Sequence, residues 1–289
     1  MFSYDEAFGR NLGWVTADEQ QVLRRKRIAI GGLGGTGGNQ LLTLCRLGVG
    51  AFNLADFDTF SLANFNRQAG ATVSTLDQPK VDVLAAMARD INPELDLRLF
   101  PGGVTEGNVD EFFRDVDVYV DSLDYFAFDA RHLVHRKCAQ LGIPAVTVAP
   151  LGMGAAMVNF LPGGVTFEEY FGLQGVPEVE KALRFLVGLS PALLQRTYLA
   201  DASRVKLGER AGPSTARACL LCAAVAATEA LKLLLKRGKV YGAPWVVHFD
   251  AYRNRLAKSY RPGGYRNPLQ RLAVAAAKRQ LARRERAKA

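Results

Sequence analysis

Apolar positions along this chain repeatedly switch between short unbroken runs and helical spacing, and the switches predict an alternation of strands and helices. After an aromatic start (Phe2, Tyr4, Phe8), Thr16 with Glu19 three residues later has the spacing of a capping box, and Val22 and Leu23 give the following helix an apolar face. A β-branched run at Arg27–Ile30 predicts a strand, which passes through glycines into an apolar helical pattern from Leu41 to Leu47. Strands follow at Phe52–Ala55, more weakly at Leu95–Phe100, then at Val116–Asp121 and Val146–Ala149. Helices are expected between them at Val81–Arg89, Asn108–Phe113 and Phe126–Leu141. This order predicts an α/β fold with a mostly parallel sheet and flanking helices.

From Leu151 the alternation loosens. Gly152, Gly154, Gly163 and Gly164 surround a strand at Ala156–Phe160, and a helix is expected over Pro177–Leu194. Residues 151–213 therefore read as an insertion within one domain rather than as an independent unit. A strongly apolar helix over Cys219–Lys236 and a late strand at Trp245–Asp250 return to the main pattern. The expected organisation is one domain over residues 1–268, opened by an arm at 1–27 and followed by a basic tail at 269–289.

Composition narrows the class. With 49% hydrophobic residues in 289, the chain can bury a sizeable core. Four scattered cysteines do not make a disulfide scaffold, and the start has no signal-like segment, so a cytoplasmic protein is expected. No apolar run reaches the roughly 18 residues of a membrane span. The net charge of +9 suggests an anionic partner. Much of it sits in the tail, where Arg271, Lys278, Arg279, Arg283, Arg284, Arg286 and Lys288 face one acid, Glu285.

The candidate chemistry centres on Gly31-Gly32-Leu33-Gly34-Gly35-Thr36-Gly37-Gly38 between strand and helix. Glycines let the backbone approach a phosphate, and the bare N–H groups of a helix start attract one. Asp56 follows the second strand at the distance where such folds set a carboxylate against ribose hydroxyls. The segment from Asp56 through Asp58, Asn64, Arg67 and Gln68 is denser in polar groups than a dehydrogenase needs, and Pro79-Lys80 opens a helix whose first turn points toward the same nucleotide. Asp124, just past the fourth strand, points into the ligand crevice; its plainer reading is an N-cap for the next helix. Arg10 on position alone is a surface charge.

In that order, the glycine loop, the pattern formed by Asp56, Asp58, Asn64, Arg67 and Gln68, and then Pro79-Lys80 make the sequence resemble the ThiF/MoeB/ubiquitin-activating-enzyme adenylation superfamily. The resemblance covers roughly Phe8–Ala149 and the helix from Cys219. It implies a Rossmann-like fold, residues 151–213 over the nucleotide, and an enzyme that uses ATP and magnesium to adenylate a carboxylate. The usual substrate is the C-terminus of a small ubiquitin-like or sulfur-carrier protein or peptide. By the family pattern Arg10, Arg67, Lys80 and Asp124 are catalytic and Asp124 orients magnesium. Gly32, Gly34, Gly35, Gly37, Asp56, Asp58, Asn64 and Gln68 hold the nucleotide. Arg10 matches an arginine that reaches the neighbouring subunit, which implies a homodimer.

Departures from the pattern qualify this. Tyr125 replaces the asparagine that follows the aspartate in many relatives. The zinc site of many members needs two C-x-x-C pairs, and only Cys219-Leu220-Leu221-Cys222 is present, so no zinc is expected and the pair reads as core cysteines. No cysteine lies between Cys138 and Cys219, where thioester-forming relatives carry a nucleophile, so the reaction is expected to stop at the adenylate or to pass it on. Competing functions are a relative of the tRNA threonylcarbamoyladenosine dehydratases, with RNA reached through the basic tail, and a non-catalytic nucleotide-binding scaffold. A plain NAD-binding oxidoreductase has no use for Asn64, Arg67 and Lys80.

Overall fold

The computed structural model of the chain describes residues 1–209 and 211–286. Residues 287–289, at the end of the expected tail, lie outside the described residues. Two short helices, α1 (Tyr4–Phe8) and α2 (Ala17–Arg24), form the arm. The Thr16–Glu19 capping box closes in both directions, which satisfies two of the free N–H groups at the start of α2.

The described strands make one eight-stranded sheet: β1 (Arg27–Gly31), β2 (Ala51–Ala55), β3 (Asp96–Phe100), β4 (Val118–Asp121), β5 (Ala145–Leu151), β6 (Gly154–Phe160), β7 (Trp245–Asp250) and β8 (Arg255–Tyr260). Their spatial order is β3-β2-β1-β4-β5-β6-β7-β8. The strands from β3 to β5 pair in parallel and those from β5 to β8 antiparallel. The connecting helices are α3 (Gly37–Arg46), α4 (Lys80–Ile91), α5 (Val109–Phe112), α6 (Phe128–Leu141), α7 (Phe167–Phe171), α8 (Glu178–Leu189), α9 (Ala216–Leu234) and α10 (Pro268–Arg286).

The sheet separates two cores, and the two-residue period of its strands decides which side chain enters which. Ile28 and Ile30 of β1 and Val118 and Val120 of β4 join α3, α4 and α9, while Ala29 and Tyr119 point the other way, toward α6, α7 and α8. Burial on both faces is why these strands read as unbroken apolar runs. Residues 151–213 supply β6 to the sheet, and α7 and α8 to the second core through Phe167, Phe171 and Phe185. β8 is absent from the sequence expectations. It is an edge strand whose residues alternate only between exposed and half-buried, so it carries no apolar period. The expected tail is largely helix α10, which lies along α8. Among the described residues no helix is long and apolar enough to cross a membrane.

Candidate active site

The chain runs from β1 to β2 and β3 on one side and to β4 and β5 on the other, so a crevice opens at the carboxyl ends of β1 and β4. Glycine is required there. Gly32 has φ +84°, and a Cβ on it would stand 2.3 Å from the Ser122 carbonyl oxygen, so only glycine lets the loop after β1 pack against the loop after β4. A Cβ on Gly35 would lie 2.9 Å from Cys219 Sγ and 3.3 Å from Arg67 Cγ. The glycine loop, the 56–68 segment, the loop after β4 and the start of α9 thus meet at the carboxyl end of the sheet, with the N-terminus of α3 among them.

Asp56 fastens these loops. Its Oδ2 accepts the Leu33 N–H at 2.6 Å and its Oδ1 the Asp58 N–H at 2.8 Å. Burial raises its pKa, an effect that these two N–H bonds only partly offset. A carboxylate has about four acceptor positions, so ribose hydroxyls can still be bound. Beyond it, Thr59 bridges to Pro79 and the Lys80 N–H reaches the Asp58 carbonyl at 2.9 Å. This pairing delivers Lys80 to the site. The Lys80 side chain, 6% exposed, donates through its ammonium to Asp58 Oδ2 at 2.8 Å, while the Asp58 side chain is 54% exposed. Lysine is almost never so buried without a partner.

Arg67 lays its stem against Gly35, but its guanidinium donates to the Ala63 carbonyl at 2.9 Å and to Asn66 Oδ1 at 2.8 Å, within its own segment. Asn64 Oδ1 accepts the Ser61 N–H at 3.0 Å and shapes the turn that carries Arg67. Gln68 is buried, with Nε2 3.7 Å from where a Gly34 Cβ would be, and its Oε1 has no partner. Gln40, in the first turns of α3, accepts the Ser122 hydroxyl through Oε1 and leaves Nε2 unpaired. Two buried polar atoms beside a glycine cradle suit a polar guest.

Asp124 is exposed at the crevice, its Oδ2 accepting the Phe126 N–H at 2.9 Å. It does not cap α6: the Ala127 N–H turns back to the Asp124 carbonyl at 3.0 Å, so the helix begins later and Ala127 holds the cap position. Sequence reading missed what holds this loop. Arg131, from α6, donates to the carbonyls of Leu123 at 2.7 Å, Asp124 at 3.2 Å and Tyr125 at 3.3 Å, and through Nε to Asp121 Oδ2 at 2.9 Å. The same carboxylate meets His135 Nε2 at 3.3 Å and accepts the Thr147 hydroxyl at 3.2 Å. Burial alone would raise the Asp121 pKa, but the Arg131 charge and the His135 and Arg131 bonds outweigh it and hold the group below the usual carboxylate range. Burial lowers the His135 pKa, so the ring stays neutral.

Arg10 stands elsewhere. It is exposed in the 3-10 turn Gly9–Asn11, where Asn11 Nδ2 donates to the Arg46 and Leu47 carbonyls, both at 3.2 Å, at the C-terminal end of α3. The ten residues of α3 span about 15 Å from there to the glycine loop. Cys219 and Cys222 are both buried, with thiol pKa values raised by burial.

Comparison with known proteins adds to this geometry. The profile of the ThiF family matches residues 8–272. The chain is 34% identical over 150 residues to the tRNA threonylcarbamoyladenosine dehydratase of Bacillus subtilis (strain 168), covering 52% of this chain and 57% of that one. It is 30% identical over 148 residues to the Sulfur carrier protein ThiS adenylyltransferase of Escherichia coli (strain K12), covering 51% and 58%. The chain spans somewhat over half the length of these curated relatives. Among solved structures, PaaA superposes with a TM-score of 0.67 at 18% identity, over 90% of this chain and 76% of that one.

Proposed function

The chain belongs to the ThiF family, and from that premise we propose that it adenylates a carboxylate with ATP, the substrate being the C-terminus of a small carrier protein or peptide in the cytoplasm. One observation carries the reading: a buried lysine is parked on an exposed carboxylate at the mouth of a glycine-loop crevice. An arriving triphosphate meets a cation that is already taken out of water and held in place by Asp58, so Lys80 can pair with it at little further desolvation cost to the lysine. The substrate carboxylate attacks the α-phosphorus, the bond to the bridging oxygen breaks, and pyrophosphate leaves behind an acyl-adenylate. Charge accumulates on the phosphates in that step, so cations fixed beforehand lower its barrier.

Lys80 supplies one such cation, and Arg67 supplies another once its guanidinium swings from Ala63 and Asn66 toward the loop. Asp56 receives the ribose, Asn64 and Gln68 hold the segment against the nucleotide, and Gly32, Gly34, Gly35 and Gly37 admit its phosphates, with residues 151–213 covering the site. Asp124 fits magnesium because it is an exposed carboxylate at the crevice, and that ion takes one or two carboxylates with substrate phosphates rather than a protein cage. No group of three metal-binding side chains occurs among the described residues. When bound, magnesium neutralises phosphate charge.

Arg10 enters from a second subunit. Its place at the far end of α3 removes it from its own crevice, and the exposed Leu12, Trp14 and Leu220 offer apolar surface for a homodimer. A second reading, activation of a carboxylate on RNA, is supported by Lys278, Arg279 and Arg283 along α10 and by the similarity to the B. subtilis dehydratase. The test is exchange of radiolabelled pyrophosphate into ATP, run with carrier-type C-terminal peptides and separately with tRNA. Exchange dependent on the peptide is expected. Calorimetric binding of NAD with none of ATP would overturn the proposal.

A further inference from the structure

The cleft between α8 and α10 lies outside the crevice just described and is a half-open groove of about 490 Å³. Glu180 and Arg184 of α8 face Arg271 and Lys278 of α10 across it, with Val274 adding apolar surface. Glu180 is already engaged, accepting Arg184 Nε at 2.9 Å and Nη2 at 2.7 Å and Lys278 Nζ at 2.5 Å. These cations hold its carboxyl below the usual range, Lys278 most of all. Arg271 is exposed on the rim and has no acidic partner among the described residues. The cleft is therefore positive beyond what its own acid can neutralise.

A second observation specifies the guest. Gln270 also lines the cleft and is 3% exposed; its Nε2 is within reach of the Tyr170 hydroxyl, which gives its own proton to the Gly188 carbonyl at 3.0 Å, while no donor reaches its Oε1. A buried amide oxygen left unmatched costs roughly 1–3 kcal/mol. Its complement is an N–H donor, which a peptide backbone supplies at every residue but proline. An arginine fork prefers a carboxylate. A phosphate backbone would satisfy Arg271, but at neutral pH its oxygens have no proton to give Gln270 Oε1.

The geometry points to a docking site for an acidic peptide segment, with a backbone amide on Gln270 and side-chain carboxylates on Arg271 and Lys278. α8 connects this cleft to the crevice, since the Tyr125 hydroxyl donates to the Ala182 carbonyl at 2.6 Å and Tyr125 follows Asp124. The segment belongs to the polypeptide whose C-terminus is activated, an assignment that rests on the function proposed above. Binding energy gained so far from the reacting carboxylate would orient it for attack.

The test uses the full chain without ATP and a fluorescein-labelled octapeptide of alternating Glu and Ala, read by anisotropy, so that its result is independent of pyrophosphate exchange. Saturable binding is expected, weakened about tenfold or more by Arg271→Glu, equivalent to about 1.4 kcal/mol. Gln270→Leu removes the unmatched oxygen along with the Tyr170 contact, so it should weaken peptide binding while changing the melting temperature little. Equal affinity of the wild type and Arg271→Glu overturns the proposal. So does a Gln270→Leu protein that melts lower yet binds as before, or a single-stranded RNA that binds more tightly than the peptide and is lost in Arg271→Glu.

Discussion

Replacing Arg131 by Met should damage stability and catalysis by separable routes. The Arg131 side chain is 3% exposed, and its guanidinium lies 4.7 Å over the Phe185 ring and is the cation beside the fully buried Asp121 carboxylate. Removing one partner of a buried pair leaves an uncompensated charge, at a cost of about 3–5 kcal/mol. At roughly 2–4 °C per kcal/mol for a chain of this size, the melting temperature should fall by about 10 °C. The same change releases the Leu123, Asp124 and Tyr125 carbonyls, so the loop presenting Asp124 loses its anchor. A second substitution, Asp121→Asn, separates the two effects because it removes the stranded charge without restoring the anchor. The double variant Asp121→Asn/Arg131→Met should regain most of the lost melting temperature by calorimetry while pyrophosphate exchange stays depressed. If Arg131→Met melts within a degree or two of wild type, the ion pair is not worth what its burial implies. If the double variant regains full exchange, Arg131 does not position the loop.

Lys80→Ala and Arg67→Ala should each lower adenylation on the order of 10² or more while changing ATP affinity less, because preorganised cations act where transition-state charge builds; exchange rates and calorimetry together check this. Burial depresses the pKa values of His135 and His248, so the unfolded chain binds protons that the folded one does not. Stability should fall as pH drops below about 6.5, with a further loss below about pH 4 as the unfolded chain protonates Asp121. Thermal melts from pH 8 to 3 would show both windows, and a flat profile between pH 7 and 5 would exclude the histidine contribution. Mixed Arg10→Ala and Lys80→Ala homodimers should recover exchange activity on subunit exchange; confirmed exchange without recovery means that Arg10 acts within its own chain or not at all, and rules out the donation across a dimer.

What the sequence disclosed depended on how local the physical cause was. The capping box at Thr16, the glycine turn and the strands buried on both faces are set by residues a few positions apart, and each formed where the spacing predicts. The proximity of Asp58 and Lys80 is less local, yet the Thr59–Pro79 bridge makes it a property of one folded segment. Two kinds of feature were hidden. β8 has no apolar period because both its faces are largely in water, so nothing but its pairing with β7 defines it. Arg131 was passed over because an arginine in a helix ordinarily reads as a solvated charge. Its burial follows from Asp121 lying at the end of β4 directly above the first turns of α6, and from three loop carbonyls converging on the same point. A sequence-level signal existed: Asp121 closes a fully buried strand, and a carboxylate in that position must find a cation or lose its charge. The search for that cation leads to the next helix, where Arg131 is the first basic residue, and from there to the loop that carries Asp124.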